Sequence, residues 1–257
     1  MEEKEEWAFP PEFQPDAEAT RFDLDRALSA VVALDAEIPP DAFTADILGT
    51  DRTGSAVVIR EDGLAVTIGY LVTEASDVKL TTRAGRVVDA HPIAIDFVSG
   101  LGLVQPLGDL GVAPLPRGSV GALEPGDTVN AISHGGRNHA LSARLVAKHE
   151  FAGYWEYLLD EALFTAPLHP AWSGAALVDT RGRLCGIGSL FVQQVIDGDT
   201  TRGNMFVPID LLEPILGDLL RQGRRAAPPR PWLGVYLHDE DGRIIVQDVA
   251  SHGPAAS

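Results

Sequence analysis

The apolar residues of this chain are gathered into short Val/Ile/Leu runs of strand length, each stopped within a few residues by Gly, Pro or an acidic turn. "GSAVVIREDGLAVTIGYLV", beginning at Gly54, is two such runs around Glu61-Asp62-Gly63. Asp-Gly is a strong hairpin signal because glycine supplies the positive φ that tight turns demand. "DVKLTTRAGRVVDAHPIAID" repeats the arrangement around Ala84-Gly85. Further strands are expected in "DTVNAIS", "LSARLVAKHEF", "ALFTAPL", "GAALVDTRGRLCGIGSLFVQQ" and "NMFVPI". A first strand is expected over residues 30–38, after a short acid-capped helical turn and before Pro39-Pro40. Many short strands joined by tight turns make a barrel or a sandwich, so the expected fold class is all-β. One segment has helical spacing: "PIDLLEPILGDLLRQGR" places Leu211, Leu212, Ile215, Leu219 and Leu220 on one face, with Gly223 as its stop.

Composition narrows the function classes. At 257 residues and 45% hydrophobic content the chain can bury a sizeable core. Its 20 Lys+Arg against 37 Asp+Glu leave a formal charge of −17, which repels nucleic acid and anionic lipid, so the expected partner is a protein or peptide. The single Cys185 cannot form an internal disulfide and is expected to be a small buried strand residue. The seven His are scattered and that Cys has no paired neighbour, so no metal site is expected. Phosphate-loop and dinucleotide fingerprints are absent, and no cofactor is expected. "MEEKEEWAFPPEFQPD" is acidic where a secretory leader is basic and apolar, and no apolar run approaches the ~18 residues of a membrane span. As written the chain is expected to be cytoplasmic, or periplasmic if a leader has been removed.

Four segments follow: an acidic arm over residues 1–25, a main domain over 26–222, a Pro/Arg spacer over 223–231, and a short piece over 232–257. Trp7, Phe9 and Phe13 in the arm are candidates to dock on a partner surface, and "RRAAPPRP" reads as a stiff solvated linker.

The order of motifs resembles the HtrA/Deg family of trypsin-like serine proteases, whose two-barrel protease domain precedes one or more PDZ domains. In that family a Gly-Ser-Gly strand leads through an Asp-Gly hairpin to a "TNNHVV" motif with the catalytic His; here the same path ends at Tyr70. The family's "DPRSDLAVL" corresponds to "DFVSGLGLV", which puts Gly100 at the Asp position. "NPGNSGGPLV" corresponds to "HPAWSGAALV", which keeps Ser173 and sets Ala171 and Trp172 in the oxyanion loop. "DTRGRLCGIGS", the strand and helix from Asn204 onward, and "RPWLGVYL" continue the likeness. The resemblance therefore implies a trypsin-like double β-barrel with a C-terminal helix, followed by the start of a PDZ-like domain. In the last piece Leu233, Gly234 and Val235 match the loop that receives a peptide carboxylate, although the sequence stops before the helix that forms the groove's second wall. A homotrimer through an aromatic N-terminal segment is a further implication, with Trp7, Phe9, Phe13 and Phe22 available for it.

A serine hydroxyl becomes a nucleophile when an imidazole takes its proton and a carboxylate fixes that imidazole. A phenol, with its pKa near 10, is a poor substitute, and Gly100 offers no side chain. Ala171 is expected to disfavour a loop shape that suits glycine, and Trp172 to cover apolar surface or plug the cleft. His134, His139 and His169 are candidate replacement bases, whereas Lys79 and Lys148 sit on strand segments where solvent-facing lysines are expected. The acidic runs Asp160-Glu161 and 239–241 read as solvated turns. The expected function is that of a catalytically inactive HtrA-like pseudoprotease serving as a protein-binding, scaffold or regulatory module, with Ser173 vestigial and beyond hydrogen-bond reach of any imidazole. The alternatives are a weak serine endopeptidase using Ser173 and a chaperone-like holdase.

Overall fold

The computed structural model describes residues 7–17, 20–153, 157–196, 199–228, 231–240, 242–250 and 253–256. Two six-stranded antiparallel barrels carry the main domain. The first contains β1 (Val31–Glu37), β2 (Asp51–Val58), β3 (Ala65–Ile68), β4 (Asp77–Thr81), β5 (Val87–Asp96) and β6 (Leu101–Pro106), closed in the order β1-β2-β3-β6-β5-β4. The second contains β7 (Thr128–Ile132), β8 (Ala140–Ala152), β9 (Leu158–Ala166), β10 (Ala176–Val178), β11 (Leu184–Ile196) and β12 (Asp199–Pro208), closed as β10-β11-β12-β9-β8-β7. Closure pairs the edge strands with each other, β1 with β4 and β10 with β7, so neither barrel leaves a free edge.

The alternation in β1 shows why these residues form strands. Leu34 and Ala36 are buried while Asp35 and Glu37 between them face solvent. The barrels fill with Leu34, Leu80, Leu101 and Leu103 in the first and Leu141, Leu145, Leu163 and Phe206 in the second. Both predicted hairpins form, with Gly63 at φ 83° and Gly85 at φ 80°. The first helical turn is α1 (Leu24–Ser29), where the Asp23 carboxylate accepts from the Arg26 N–H at 3.0 Å. A short α2 (Ala45–Leu48) sits in a loop with no helical pattern in the sequence. The helix expected over 208–224 divides into a 3₁₀ turn, Ile209–Leu211, and α3 (Glu213–Gln222), which ends at Gly223 with φ 72°. The last segment forms a hairpin of β13 (Val235–Glu240) and β14 (Arg243–Val249). No helix among the described residues is long and apolar enough to cross a membrane.

Two flanking segments differ from their sequence reading. Part of the acidic arm folds back on its own second barrel: the Phe9 N–H donates to the Asn138 carbonyl at 2.9 Å, and the Trp7 ring stacks on His139 at 4.3 Å. The Pro/Arg linker is not wholly solvated. Arg225 donates twice to Asp96, 2.7 Å to Oδ1 and 2.6 Å to Oδ2, and the Asp96 side chain is only 2% exposed. Burial pushes the Asp96 carboxyl upward, but hydrogen bonds from Arg225 and Ser99 outweigh it and hold the group below the usual carboxylate range.

Candidate functional site

Ser173 stands just before β10 and reaches across to the first barrel because two glycines let the backbones meet. Gly174 has φ 73°, and a Cβ there would overlap the Ser55 carbonyl; a Cβ on Gly54 would lie 2.7 Å from the Ser173 carbonyl. That carbonyl accepts from the Ser55 N–H at 2.8 Å.

Tyr70 arrives from the other side, on the 3₁₀ turn Gly69–Leu71 that follows β3. The turn is pinned at both ends. The Gly69 N–H donates to the Gly100 carbonyl at 2.7 Å, and Arg52 Nη1 donates to the Tyr70 carbonyl at 2.6 Å and to the Thr73 carbonyl at 3.1 Å. Arg52 is 5% exposed and spends its other donors on Gly49 and Thr44; burial lowers its pKa, opposed by Glu74. Held this way, the Tyr70 hydroxyl donates to the Ser189 carbonyl at 2.8 Å and is hydrogen-bonded to Ser173 Oγ at 2.9 Å.

The hydroxyl network continues. The Ser189 side chain is hydrogen-bonded to the Tyr157 hydroxyl, and the Tyr157 ring lies where a side chain on Gly100 would have to go. Ser173, Tyr70, Ser189 and Tyr157 therefore form one connected path ending beside Gly100. The chemistry it supports is limited by its acceptors. A peptide carbonyl can only accept, so the single phenolic proton of Tyr70 goes to the Ser189 carbonyl and the Ser173 hydroxyl, which can donate, completes the other contact. A neutral phenol that already holds its own proton is no general base for Ser173 Oγ.

The loop before the serine is committed elsewhere as well. The Ala171 N–H donates to His169 Nδ1 at 3.1 Å, leaving His169 Nε2–H to donate to the His139 carbonyl at 3.0 Å. This is the neutral form of a fully buried imidazole, and burial pushes the His169 pKa down to about 4. The Trp172 ring sits near Phe191 of β11, with centroids 6.2 Å apart.

Among the described residues no imidazole is hydrogen-bonded to Ser173. His134 instead pairs with Ser55: its N–H donates to Ser55 Oγ at 3.0 Å and its Nδ1 lies 3.1 Å from the same oxygen. Burial, with His139 nearby, lowers the His134 pKa against the pull of Asp35. His139 turns both ring nitrogens away, to the His134 and Trp7 carbonyls at 2.9 and 2.7 Å. Lys79 pairs with Asp77 at 3.0 Å at the surface, but Lys148 departs from the solvent-facing expectation. Its Nζ donates to the Val120 and Leu123 carbonyls at 3.0 and 3.1 Å. Asp160 and Glu161 are exposed on β9, a strand and not a turn; Asp241 lies outside the described residues. Burial pushes the Cys185 thiol up to about 12, so it stays protonated.

In the C-terminal piece, Leu233 and Gly234 precede β13, which Val235 begins. The Gly234 carbonyl accepts from the Ala250 N–H at 2.8 Å and the Leu233 carbonyl from the Ala255 N–H at 3.0 Å, so the loop is closed against the residues after β14.

The sequence profile of the trypsin-like peptidase domain matches residues 54–187, from the strand that meets Ser173 to the strand after it. The chain belongs to this trypsin-like peptidase family. The relatives it is similar to are of HtrA/Deg type. It is 24% identical over 222 residues to the serine endoprotease DegS of Haemophilus influenzae, covering 82% of this chain and 63% of that protein. It is 29% identical over 192 residues to the putative serine protease HhoA of Synechocystis, covering 72% and 46%. The chain thus spans less than two thirds of the length of these relatives. The solved structure of the HtrA-type protease AlgW with a tripeptide matches at a TM-score of 0.63 and 20% identity, over 91% of this chain and 77% of that one, which establishes the shared double-barrel fold.

Within this peptidase fold, Tyr157, Ser189, Ser55 and Arg52 are the cleft residues that sequence reading missed. Ser189 is the last residue of the recognised "DTRGRLCGIGS" hairpin, where it was read as part of the motif and given no role of its own. Tyr157 carries no sequence signal, because its role depends on a neighbour 57 positions away, Gly100, having no side chain.

Proposed function

We propose that this chain is a catalytically inactive HtrA-like pseudoprotease that binds protein or peptide partners as a scaffold or regulatory module. One observation carries the reading: the position the resemblance gives to the base holds Tyr70, a phenol that donates its one proton to the Ser189 carbonyl and is hydrogen-bonded to Ser173 Oγ. Taking the serine proton would leave that phenol doubly protonated, so the alcohol has no competent base beside it among the described residues. The Ala171 amide engaged by His169 supports the same reading, since that loop is where donors to a developing oxyanion are needed. Ser173 is then a structural hydroxyl that fastens the two barrels. A homotrimer on the aromatic N-terminal segment belongs to this reading, with Phe13 46% exposed beside the docked Trp7 and Phe9.

The test is labelling with a fluorophosphonate together with cleavage of an unfolded protein substrate. The expected result is neither labelling nor cleavage, with sedimentation reporting the assembly. Labelling that disappears in Ser173→Ala would replace the proposal with a serine endopeptidase. Suppression of client aggregation, unchanged in Ser173→Ala, would define the binding function as that of a holdase.

A further inference from the structure

A cavity of about 310 Å³ opens where α1, the β4–β5 hairpin and residues 110–113 meet, away from the hydroxyl network. Three arginines line it: Arg26 from α1, and Arg83 and Arg86 from the hairpin. Each is tethered by one side-chain hydrogen bond among the described residues. Arg26 Nη2 donates to the Pro114 carbonyl at 3.4 Å, Arg83 Nη1 to Asp25 Oδ1 at 3.1 Å, and Arg86 Nη1 to the Asp109 carbonyl at 3.0 Å. A guanidinium has five donors, so each tether orients the fork and leaves most of its donors unspent.

The surrounding backbone makes room for this arrangement. Gly111, at φ 68°, passes Arg86 where a Cβ would lie 3.4 Å from Nη1, and Gly136 passes Arg83 where a Cβ would lie 3.0 Å from Nε. The buried Thr82 hydroxyl accepts from the Arg86 N–H at 3.2 Å and stiffens the turn. Leu110, Val112, Ala113 and Ala84 supply an apolar wall. Asp25 neutralises one of the three charges, and the Asp109 carboxylate is occupied by the Gly111 N–H at 2.8 Å.

A concentration of positive charge in a chain of net charge −17 selects the size of its ligand. Screening confines the repulsion from distant acids to about 8 Å at physiological salt, so a small anion in contact with the arginines is governed by them, whereas a long polyanion meets the acidic surface. Guanidinium forks fit carboxylate and phosphate alike. Three of them offer more donors than the two oxygens of a carboxylate can use, and a phosphate monoester presents three oxygens and nearly two charges. We propose that this cavity binds a small organic phosphate, a phosphate monoester on a compact apolar group that lies against Leu110 and Val112.

The experiment is calorimetric titration of the whole chain with phenyl phosphate at physiological salt, with benzoate and inorganic phosphate as comparisons. Phenyl phosphate should bind more tightly than either, weaken with added salt, and lose about tenfold in affinity in Arg86→Gln and again in Arg26→Gln. Both arginines are exposed, so the variants should melt as the parent does. No binding at roughly 10 mM, or undiminished affinity in both variants, would overturn the site. Equal affinity for benzoate would overturn the phosphate assignment, and equal affinity for inorganic phosphate the apolar wall.

Discussion

The aromatic ring of Tyr157 fills the space that a side chain on Gly100 would enter. Gly100 also has φ 80°, so an Asp there meets an occupied volume and a left-handed backbone together. Gly100→Asp should therefore destabilise by about 3 kcal/mol or more, read as a lower urea midpoint. Adding Tyr157→Ala should recover the steric part and leave the backbone part. A Gly100→Asp variant as stable as the parent would show that the ring does not hold this space.

Tyr70→Phe tests the bridging hydroxyl directly. The variant keeps the ring and removes the hydroxyl that bridges Ser173 Oγ and the Ser189 carbonyl, so it should cost about 1–2 kcal/mol. Fluorophosphonate labelling should stay absent. Tyr70→His alone should not create labelling either, because the new imidazole has no carboxylate at residue 100 and the Ala171 N–H is still engaged by His169. Labelling gained by that single change would mean that the base was the one missing part.

The double barrel was legible because each strand carries its own local evidence, as in β1 with its alternation or the β2–β3 turn with its Asp-Gly. Tyr70 and Gly100 were singled out by their places in ordered motifs. Tyr157 and Arg52 were not, since their positions depend on pairings between distant strands that no local pattern encodes. The arm and the linker were misread for a related reason. Trp7 on His139 and Arg225 on Asp96 are single long-range contacts that composition averages away, and a Pro/Arg-rich or acidic segment looks solvated until its one anchor is seen.

The Arg225–Asp96 fork should be costly to open from one side. Arg225→Ala strands a buried carboxylate and should destabilise by about 3 kcal/mol, while Asp96→Asn combined with Arg225→Ala should recover much of it. The pH dependence has a definite sign. Because the folded Asp96 carboxyl is held below its ordinary value, its contribution is present above that ordinary value and is lost as pH falls through the depressed one. Without Arg225 the acid limb of the stability curve should begin at higher pH. An unchanged limb in Arg225→Ala would indicate that Ser99 alone holds the carboxylate.

His169 sets the last expectation. Its imidazole is neutral in the fold with a pKa of about 4, against 6.5 when unperturbed. Between these values the unfolded chain binds a proton that the folded chain does not, so this residue's contribution is complete above about pH 6.5 and declines as pH falls toward 4, by on the order of 3 kcal/mol. Protonation would also take away the Nδ1 lone pair that holds the Ala171 N–H, releasing the loop before Ser173. The difference in urea midpoint between the parent and His169→Gln should therefore shrink steadily from pH 7 to pH 5. His134, depressed in the same direction, is present in both proteins and cancels in that difference. A constant difference over this range would place His169 outside the proton balance and leave the Ala171 contact as packing alone.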